Sequence, residues 1–559
     1  MPEEINEYEQ ERRSKLQKLR DLGVDPYGQR TAGVSPLADI KALHKPEFAQ
    51  DGGPVVTAAG RIMLKRDMGK LTFMTLRDET GDLQIALDKK RLSELDWKIN
   101  DLLDLGDTVV VTGPLGMTKK LEPTIWATSL QIASKALLPP PTKEHKNEQG
   151  EVTKSGFSDI EQRYRQRYVD LWANPEVMKT LKLRMRIVDE IRQFMRSRGY
   201  MEVETPMMQT LAGGAAARPF ETHHNALDIP LFLRIAPELY LKRLLVGGFS
   251  KVFELNRNFR NEGISPKHNP EFTMLEAYEA FGSWETMAEL VESMICHVAQ
   301  NVVGTLVLNH EDTKGTKKTI DLRGDETKPQ GQRWRRASMS ELVNEKCSLL
   351  FDSTHGFSTG DLSRLALLLA DARWGEARNS LAAHVVRVQG ESPALIPEIA
   401  KSISSMPGNL PNLVQDMETQ LRSMSRAEQL VAAYEKLVEP TLLNPTFVTQ
   451  VPSVIIPLAK KSAADPFFAD VYELAINGQE ISPGYTELND PLVQEENFKH
   501  QVGEQAEQQK TDEDFLTALK YGMPPAGGLG LGIDRLVMML TGAESIRDVI
   551  LFPLMRPQE

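Results

Sequence analysis

Two arginines, Arg257 and Arg260, stand close together in the stretch FELNRNFRNEGISPKHNPEFTML, which begins at Phe253. The runs on either side alternate apolar and polar residues as strands do, and the Gly, Ser and Pro between them mark a turn. A guanidinium is always charged and presents a planar fork of donors suited to carboxylate or phosphate. On a buried sheet it needs an anion, because an unpaired buried charge is costly. For Arg260 that anion is either a side chain, Glu254 or Glu262, or a phosphate. Phe272 offers a flat face to a purine, and His268 a donor to outer phosphates.

Two further stretches extend this chemistry. GGLGLGIDRLVMML, from Gly527, sets glycines ahead of a helical run. It has no Lys-Ser/Thr pair, so it is not a P-loop, and no βαβ unit surrounds it as a dinucleotide fingerprint requires. The glycines let a backbone approach something closely, and Arg535 starts the helix facing a ligand. A structural Gly-rich turn is the plainer alternative. VYELAINGQEISPGYTELND, from Val471, places Glu473 and Glu480 seven residues apart across an Asn-Gly hairpin turn, so both reach one point. Two carboxylates beside a polyphosphate make a magnesium site, unless they are only solvated hairpin charge. Tyr485 and Glu487 follow, and with Glu238 in RIAPELYLKRL they form an acidic pocket for a cationic side chain. Together these residues describe an ATP site beside a site for an amine-tipped substrate.

The elements that position them follow from composition and pattern. The chain has 559 residues, 41% hydrophobic and 26% charged, as in a soluble globular protein of more than one domain. Its formal charge of −12 argues against a surface coated in nucleic acid but permits a local basic face. No apolar run nears the roughly 18 residues of a membrane span, no signal core opens the chain, and two cysteines supply neither a disulfide framework nor a Cys-rich zinc site. A cytoplasmic location is expected. Residues 1–54 read as a helical arm: Leu16, Leu19 and Leu22 share a face, and ERRSKLQKLR forms a basic stripe that is either solvated or set against a nucleic acid backbone. Residues 55–138 hold five short β-rich runs, from VVTAAGRIML to PTIWATSLQIA, which predict a small OB-fold barrel. Residues 139–170 read as a polar linker, and 171–559 as a larger domain with a helical segment at about 325–440.

On these residues the chain resembles the class II aminoacyl-tRNA synthetases and, within them, the bacterial-type lysyl-tRNA synthetases. GYMEVETPMM resembles the first family motif, NRNFRNEGISPKHNPEFTMLEAY the second and GGLGLGIDRLVMML the third. GRIMLKRDMGKLTFMTLRDETG resembles the anticodon-binding barrel, and AGGAAARPFETHHNALD and LRIAPELYLKRL are also similar to this family. The resemblance implies an α+β multidomain chain: an N-terminal OB-fold β-barrel and a catalytic domain built on an antiparallel β-sheet flanked by helices. It implies ATP-dependent activation of lysine, transfer to tRNA(Lys), magnesium (up to three ions with ATP), and a homodimer. It also assigns roles. Arg260 binds the α-phosphate and the amino-acid carboxylate, Glu262 the adenine amino group and His268 the outer phosphates. Phe272 stacks on the adenine ring, and Arg535 covers its other face. Glu473 and Glu480 hold magnesium. Glu238, Tyr278 and Glu487, beside Tyr485, receive the lysine ε-ammonium, while Gly214 and Glu276 lie near its α-amino end. Arg66, Phe73, Gln84 and Glu122 match positions that read a uridine-rich anticodon. One departure stands out: the family pattern EIxNxYxELND has Asn where this chain has Pro483. Two other activities share parts of this pattern, a lysine ligase acting on a protein such as elongation factor P, and an RNA-binding paralogue that charges nothing.

Overall fold

Six runs between 55 and 134 become strands: β1 (Val55–Asp67), β2 (Leu71–Arg77), β3 (Asp82–Asp88), β4 (Thr108–Met117), β5 (Pro123–Ala127) and β6 (Ser129–Ser134). The last expected run breaks at Thr128 into β5 and β6. Five strands close a ring in the order β1-β2-β3-β5-β4-β1, with β3 and β5 parallel, and β6 pairs with β4 on its outside. Closure removes the free edges that an open sheet would expose. Alternate residues fill the interior, among them Ile62, Leu76, Ile85 and Val109. Helix α2 (Glu94–Leu102) lies between β3 and β4, capped by Ser93, whose Oγ accepts from the Asp96 amide.

The computed structural model describes residues 7–48, 51–140, 143–146, 152–155, 157–211, 213–215, 217–311, 315–374, 410–499 and 511–558. It divides into two units, Met1–Lys179 with Pro557–Glu559, and Thr180–Arg556. In the first unit, helix α1 (Glu7–Asp21) buries Leu19 while Leu22 stays exposed. Much of its basic stripe turns inward: Arg12 donates to the Ala136 and Leu105 carbonyls, and Lys15 pairs with Asp104 at 2.7 Å. The expected linker carries helices at Ile160–Arg165 and Arg167–Ala173, and Arg61 lies 4.8 Å from the Trp172 ring centre, which fastens it to the barrel. Linker residues 141–142 and 147–151, and residues 375–409 of the expected helical segment, lie outside the described residues.

The second unit is built on an eight-stranded sheet. Its strands are β7 (Met201–Glu202), β8 (Lys251–Phe259), β9 (Glu271–Ala280), β10 (Arg335–Ser338), β11 (Thr446–Thr449), β12 (Val471–Ile476), β13 (Gln479–Thr486) and β14 (Ala526–Gly532), in the order β7-β8-β9-β14-β13-β12-β11-β10. The six central strands are antiparallel and the two edge pairs parallel. Helices α3 (Pro175–Ser197), α4 (Glu238–Val246), α5 (Trp284–Val298) and α6 (Ile533–Thr541) accompany it. On α5, Met287, Ala288, Val291, Met294, Ile295 and Val298 form one buried stripe at helical spacing. That stripe packs with residues of α3 and α6 against Phe253, Leu275, Leu529 and Leu531 of the sheet. One sheet face is thereby spent on this core; on the other, α4 packs over Val252, Tyr278 and Ala526 at one end of the strands. A second core joins the segment at 325–440, with helices Met339–Cys347, Thr359–Trp374, Leu410–Ser423 and Arg426–Ala433, to β11 and β12.

Candidate active site

The Gly-rich strand explains itself first. Along β14, Leu529 and Leu531 point into the core, so Gly528, Gly530 and Gly532 fall on the opposite face. In register, Gly528 lies between Tyr278 and Tyr485, and Gly530 beside Glu276. A Cβ on Gly528 would sit 1.9 Å from Glu487 Oε1 and 2.6 Å from the Tyr278 ring, and one on Gly530 would sit 2.9 Å from Met274. These glycines make room for neighbouring side chains as much as for a ligand.

Over this floor lies a cleft of about 250 Å³. All five sequence-derived nucleotide residues, Arg260, Glu262, His268, Phe272 and Arg535, line it, with Glu480 and Tyr485. Arg260 follows β8 directly, its amide donating to the Pro270 carbonyl, and its guanidinium lies 5.1 Å from the Phe272 ring centre. Neither expected carboxylate pairs with it. Glu254 is taken by the fully buried Arg234, Nη1 to Oε1 at 2.6 Å, with Thr205 Oγ1 donating to its other oxygen. Among the described residues Arg260 has no ion pair, and its shielded Nε has no hydrogen-bond partner. Opposite it, Arg535 Nη1 donates to the Glu480 carbonyl at 2.7 Å, and Nη2 lies 3.3 Å from His268 Nε2. Burial and the Arg535 charge hold His268 below the usual imidazole range. Asp534, to which no reading of the sequence assigned a role, anchors this wall: Arg184 Nη1 donates to Oδ1 at 2.5 Å and the Thr273 amide to Oδ2 at 2.7 Å.

The hairpin forms as the Asn-Gly signal requires. Asn477 and Gly478 both take positive φ, 56° and 71°, the geometry of a type I′ turn. A bulge beside Ala475 breaks the register, so Glu480 opposes Ala475 while Glu473 opposes Pro483. Pro483 lines the cleft next to that bulge, just before β13 takes up its pairing with β14, where a missing N–H is tolerated. Burial raises Glu473 well above the usual carboxylate range, and the nearby charges of Glu480, Glu439 and Glu435 raise it further. Among the described residues no three metal-binding side chains converge on one point, and Glu473 has no hydrogen bond or ion pair. Glu480 at the cleft wall, with the half-buried Glu473 behind it and no side-chain cation at Glu473 among the described residues, is a donor set that fits a divalent cation whose other ligands are phosphate oxygens and water.

The acidic pocket holds a surprise. At Gly214, φ 86°, an added Cβ would lie 3.2 Å from the Cβ atoms of Ala236 and Glu238. Glu238, Glu276, Tyr278, Tyr485 and Glu487 gather at this end of the sheet, coupled in charge. A cation already stands among them: Lys242, one helical turn beyond Glu238 on α4, is fully buried, 2.7 Å from Glu238 Oε1 and 2.5 Å from Glu487 Oε2. Its i,i+4 spacing from Glu238 was visible in the sequence; its pairing with Glu487, 245 positions away, was not. Burial alone would lower Lys242, but the two carboxylates outweigh it and raise it. Burial, then the Glu238 charge, pushes Glu276 up to about 8. An acid so raised contributes stability fully below its unfolded value near 4.5, and that contribution is lost as pH climbs through about 8. Glu276→Gln should therefore gain on the wild type, by on the order of 1–2 kcal/mol, between pH 5 and pH 9. Urea midpoints at both pH values measure this, and a pH-independent gap would count against it.

On the barrel, Arg66 pairs in register with Phe73, and Gln84 with Thr124. Gln84 Nε2 donates to Glu122 Oε2 at 2.9 Å and Thr124 Oγ1 to Gln84 Oε1 at 2.9 Å, so the four expected residues share one face. Trp126, likewise without a role in the sequence reading, stands edge-on to Phe73 with ring centres 6.3 Å apart, and Arg91 lies 5.7 Å from its ring.

Residues 159–556 match the family model for tRNA synthetases class II (D, K and N), and residues 56–133 that for the OB-fold nucleic acid binding domain. The chain is 43% identical to a lysine–tRNA ligase of Carboxydothermus hydrogenoformans, over 100% of this chain and 99% of that one. It is 40% identical to a lysine–tRNA ligase of Bacillus subtilis, over 99% and 98%.

Proposed function

We propose that this chain, which belongs to the class II tRNA synthetases and within them to the lysine–tRNA ligase family, joins lysine to ATP in the cleft around Arg260 and then to tRNA. Likeness over the full length, barrel included, gives no support to a protein-lysylating enzyme or a non-charging paralogue. The observation that carries the residue assignment is Arg260, an arginine that among the described residues has no carboxylate partner and lies in the cleft against the Phe272 ring.

In this reading no side chain acts as nucleophile. A lysine carboxylate oxygen attacks the α-phosphorus of ATP in line, the bond to the β-bridging oxygen breaks, and pyrophosphate leaves. The terminal ribose hydroxyl of tRNA then attacks the lysyl carbonyl and AMP departs. Arg260 aligns carboxylate and α-phosphate and stabilises charge that grows between them. Phe272 stacks on adenine, Arg535 covers the other face of the ring near the γ-phosphate, Glu262 accepts from the adenine amino group, and His268 meets the outer phosphates. Glu473 and Glu480 would hold magnesium, which neutralises phosphate charge when bound. Glu487, with Glu238, Tyr278 and Tyr485, faces the ε-ammonium, and Gly214 and Glu276 the α-amino end. A neutral-tipped analogue would strand buried carboxylates, a mismatch that costs roughly 10⁴-fold in such sites. Pyrophosphate exchange with a panel of amino acids tests the reading; exchange that responds to another amino acid as well as to lysine would end it.

Arg66, Phe73, Gln84 and Glu122 read the anticodon in the same proposal, supported by their shared barrel face. Phe73→Ala should weaken tRNA charging about 5- to 150-fold, the worth of one stacked base, and leave pyrophosphate exchange intact. Equal loss in both assays would contradict the division of labour. A homodimer through α3 and β7 belongs to this reading, supported by exposed Met185, Met201 and Met208, as does a cytoplasmic location, where tRNA and ATP are met. No described helix is long and apolar enough to cross a membrane.

A further inference from the structure

The amine pocket contains one more charged group than substrate recognition requires, and that group is a cation. Lys242 is fully buried, and its Nζ contacts Glu238 Oε1 at 2.7 Å, Glu487 Oε2 at 2.5 Å and the Leu458 carbonyl at 3.4 Å. Nζ donates hydrogen bonds to Glu238 Oε1 and the Leu458 carbonyl and meets Glu487 Oε2 as an ion pair. Glu487 is also fully buried; neither of its oxygens has a hydrogen-bond partner among the described residues, and only Oε2 has a cation beside it. Oε1 packs against Gly528, whose lack of a side chain lets it stand there, since a Cβ would lie 1.9 Å away. A buried carboxylate oxygen without a partner is costly unless something arrives to bond it.

We propose that Lys242 is a resident counter-ion of the amine pocket, a positioning residue that clips one oxygen of Glu487 and leaves the other, with a single uncompensated negative charge, for the substrate's ε-ammonium. The inference rests on the lysine-activating reading above. The charge count supports it. Arg234 and Glu254 cancel at 2.6 Å. Glu276 is largely protonated near neutral pH, and burial holds the Tyr278 and Tyr485 hydroxyls in their neutral forms. Burial pushes Glu487 up to about 7 in spite of Lys242, so the single negative charge that Glu238 and Glu487 carry against Lys242 is complete only with an ammonium beside Glu487. Without Lys242 two adjacent buried carboxylates would compete for a proton, and the pocket would lose either its charge or the orientation of Glu487.

Lysine-dependent pyrophosphate exchange by the full-length wild type, Lys242→Met, Glu238→Gln and the double variant separates charge balance from packing. Methionine keeps the stem of Lys242 without its charge, so the single variant carries one charge too many, Glu238→Gln one too few, and the double variant the original count. Each single variant should raise the KM for lysine about tenfold or more, with the KM for ATP within about twofold of wild type. The double variant has also lost a carboxylate that faces the ε-ammonium, so its lysine KM stays above wild type but should fall at least about threefold below that of Lys242→Met. A wild-type lysine KM in Lys242→Met, or a double variant no better than Lys242→Met, would overturn the proposal. If Lys242→Met fails to fold, the double variant decides: a folded double variant with lysine-dependent exchange upholds the counter-ion role, and failure to fold as well leaves Lys242 a structural residue and refutes it. A wild type that shows no lysine-dependent exchange would instead remove the lysine-activating reading itself.

Discussion

Replacing Arg260 with alanine should depress lysine-dependent pyrophosphate exchange by about 10²–10³-fold or more, the loss seen when one donor aimed at developing transition-state charge is removed. The expectation rests on what surrounds the side chain. Arg260 has no carboxylate at ion-pair distance among the described residues: Arg234 has claimed Glu254, and Glu262 is exposed. Its removal should therefore cost little stability while taking away the guanidinium that lies against the Phe272 ring. The loss should fall on kcat more than on the KM for ATP, since alignment of two anions matters most as they react. Unfolding midpoints alongside the exchange rates check both halves. Exchange near wild type in a folded variant would remove Arg260 from the chemistry.

Gly528→Ala should do comparable damage by a different route. The new methyl would stand 1.9 Å from Glu487 Oε1 and 2.6 Å from Tyr278. Strand β14 cannot retreat, since it is paired on both sides, with β9 and with β13. Glu487 must turn away, abandoning Lys242 and the position that faces the substrate amine. Overpacking of this kind costs about 1–3 kcal/mol, equivalent to about 5- to 150-fold in affinity. The KM for lysine should rise by that factor and the KM for ATP should stay nearly unchanged, because Arg260, Phe272 and Arg535 lie farther along the sheet. Parallel changes in the two KM values would mean that the strand as a whole had shifted.

The sequence by itself determined much of this protein's design. Period-two alternation and turn residues located the barrel strands, the Asn-Gly pair announced the I′ hairpin, and the spacing of arginines, carboxylates and glycines announced a nucleotide beside an amine. These are local signals: a strand's alternation or a turn's left-handed φ is written in the few residues that adopt it. Only the tertiary structure decided which charges meet. It gave Glu254 to Arg234 and left Arg260 free for a ligand, turned Arg12 and Lys15 of the supposed basic stripe inward, tied the supposed linker to Arg61 through Trp172, and put Lys242 between Glu238 and Glu487. Each of these is a contact between residues far apart in the chain or between alternatives equally open by spacing. Coulomb attraction and desolvation depend on distance and burial in three dimensions, and neither quantity exists until the chain has folded.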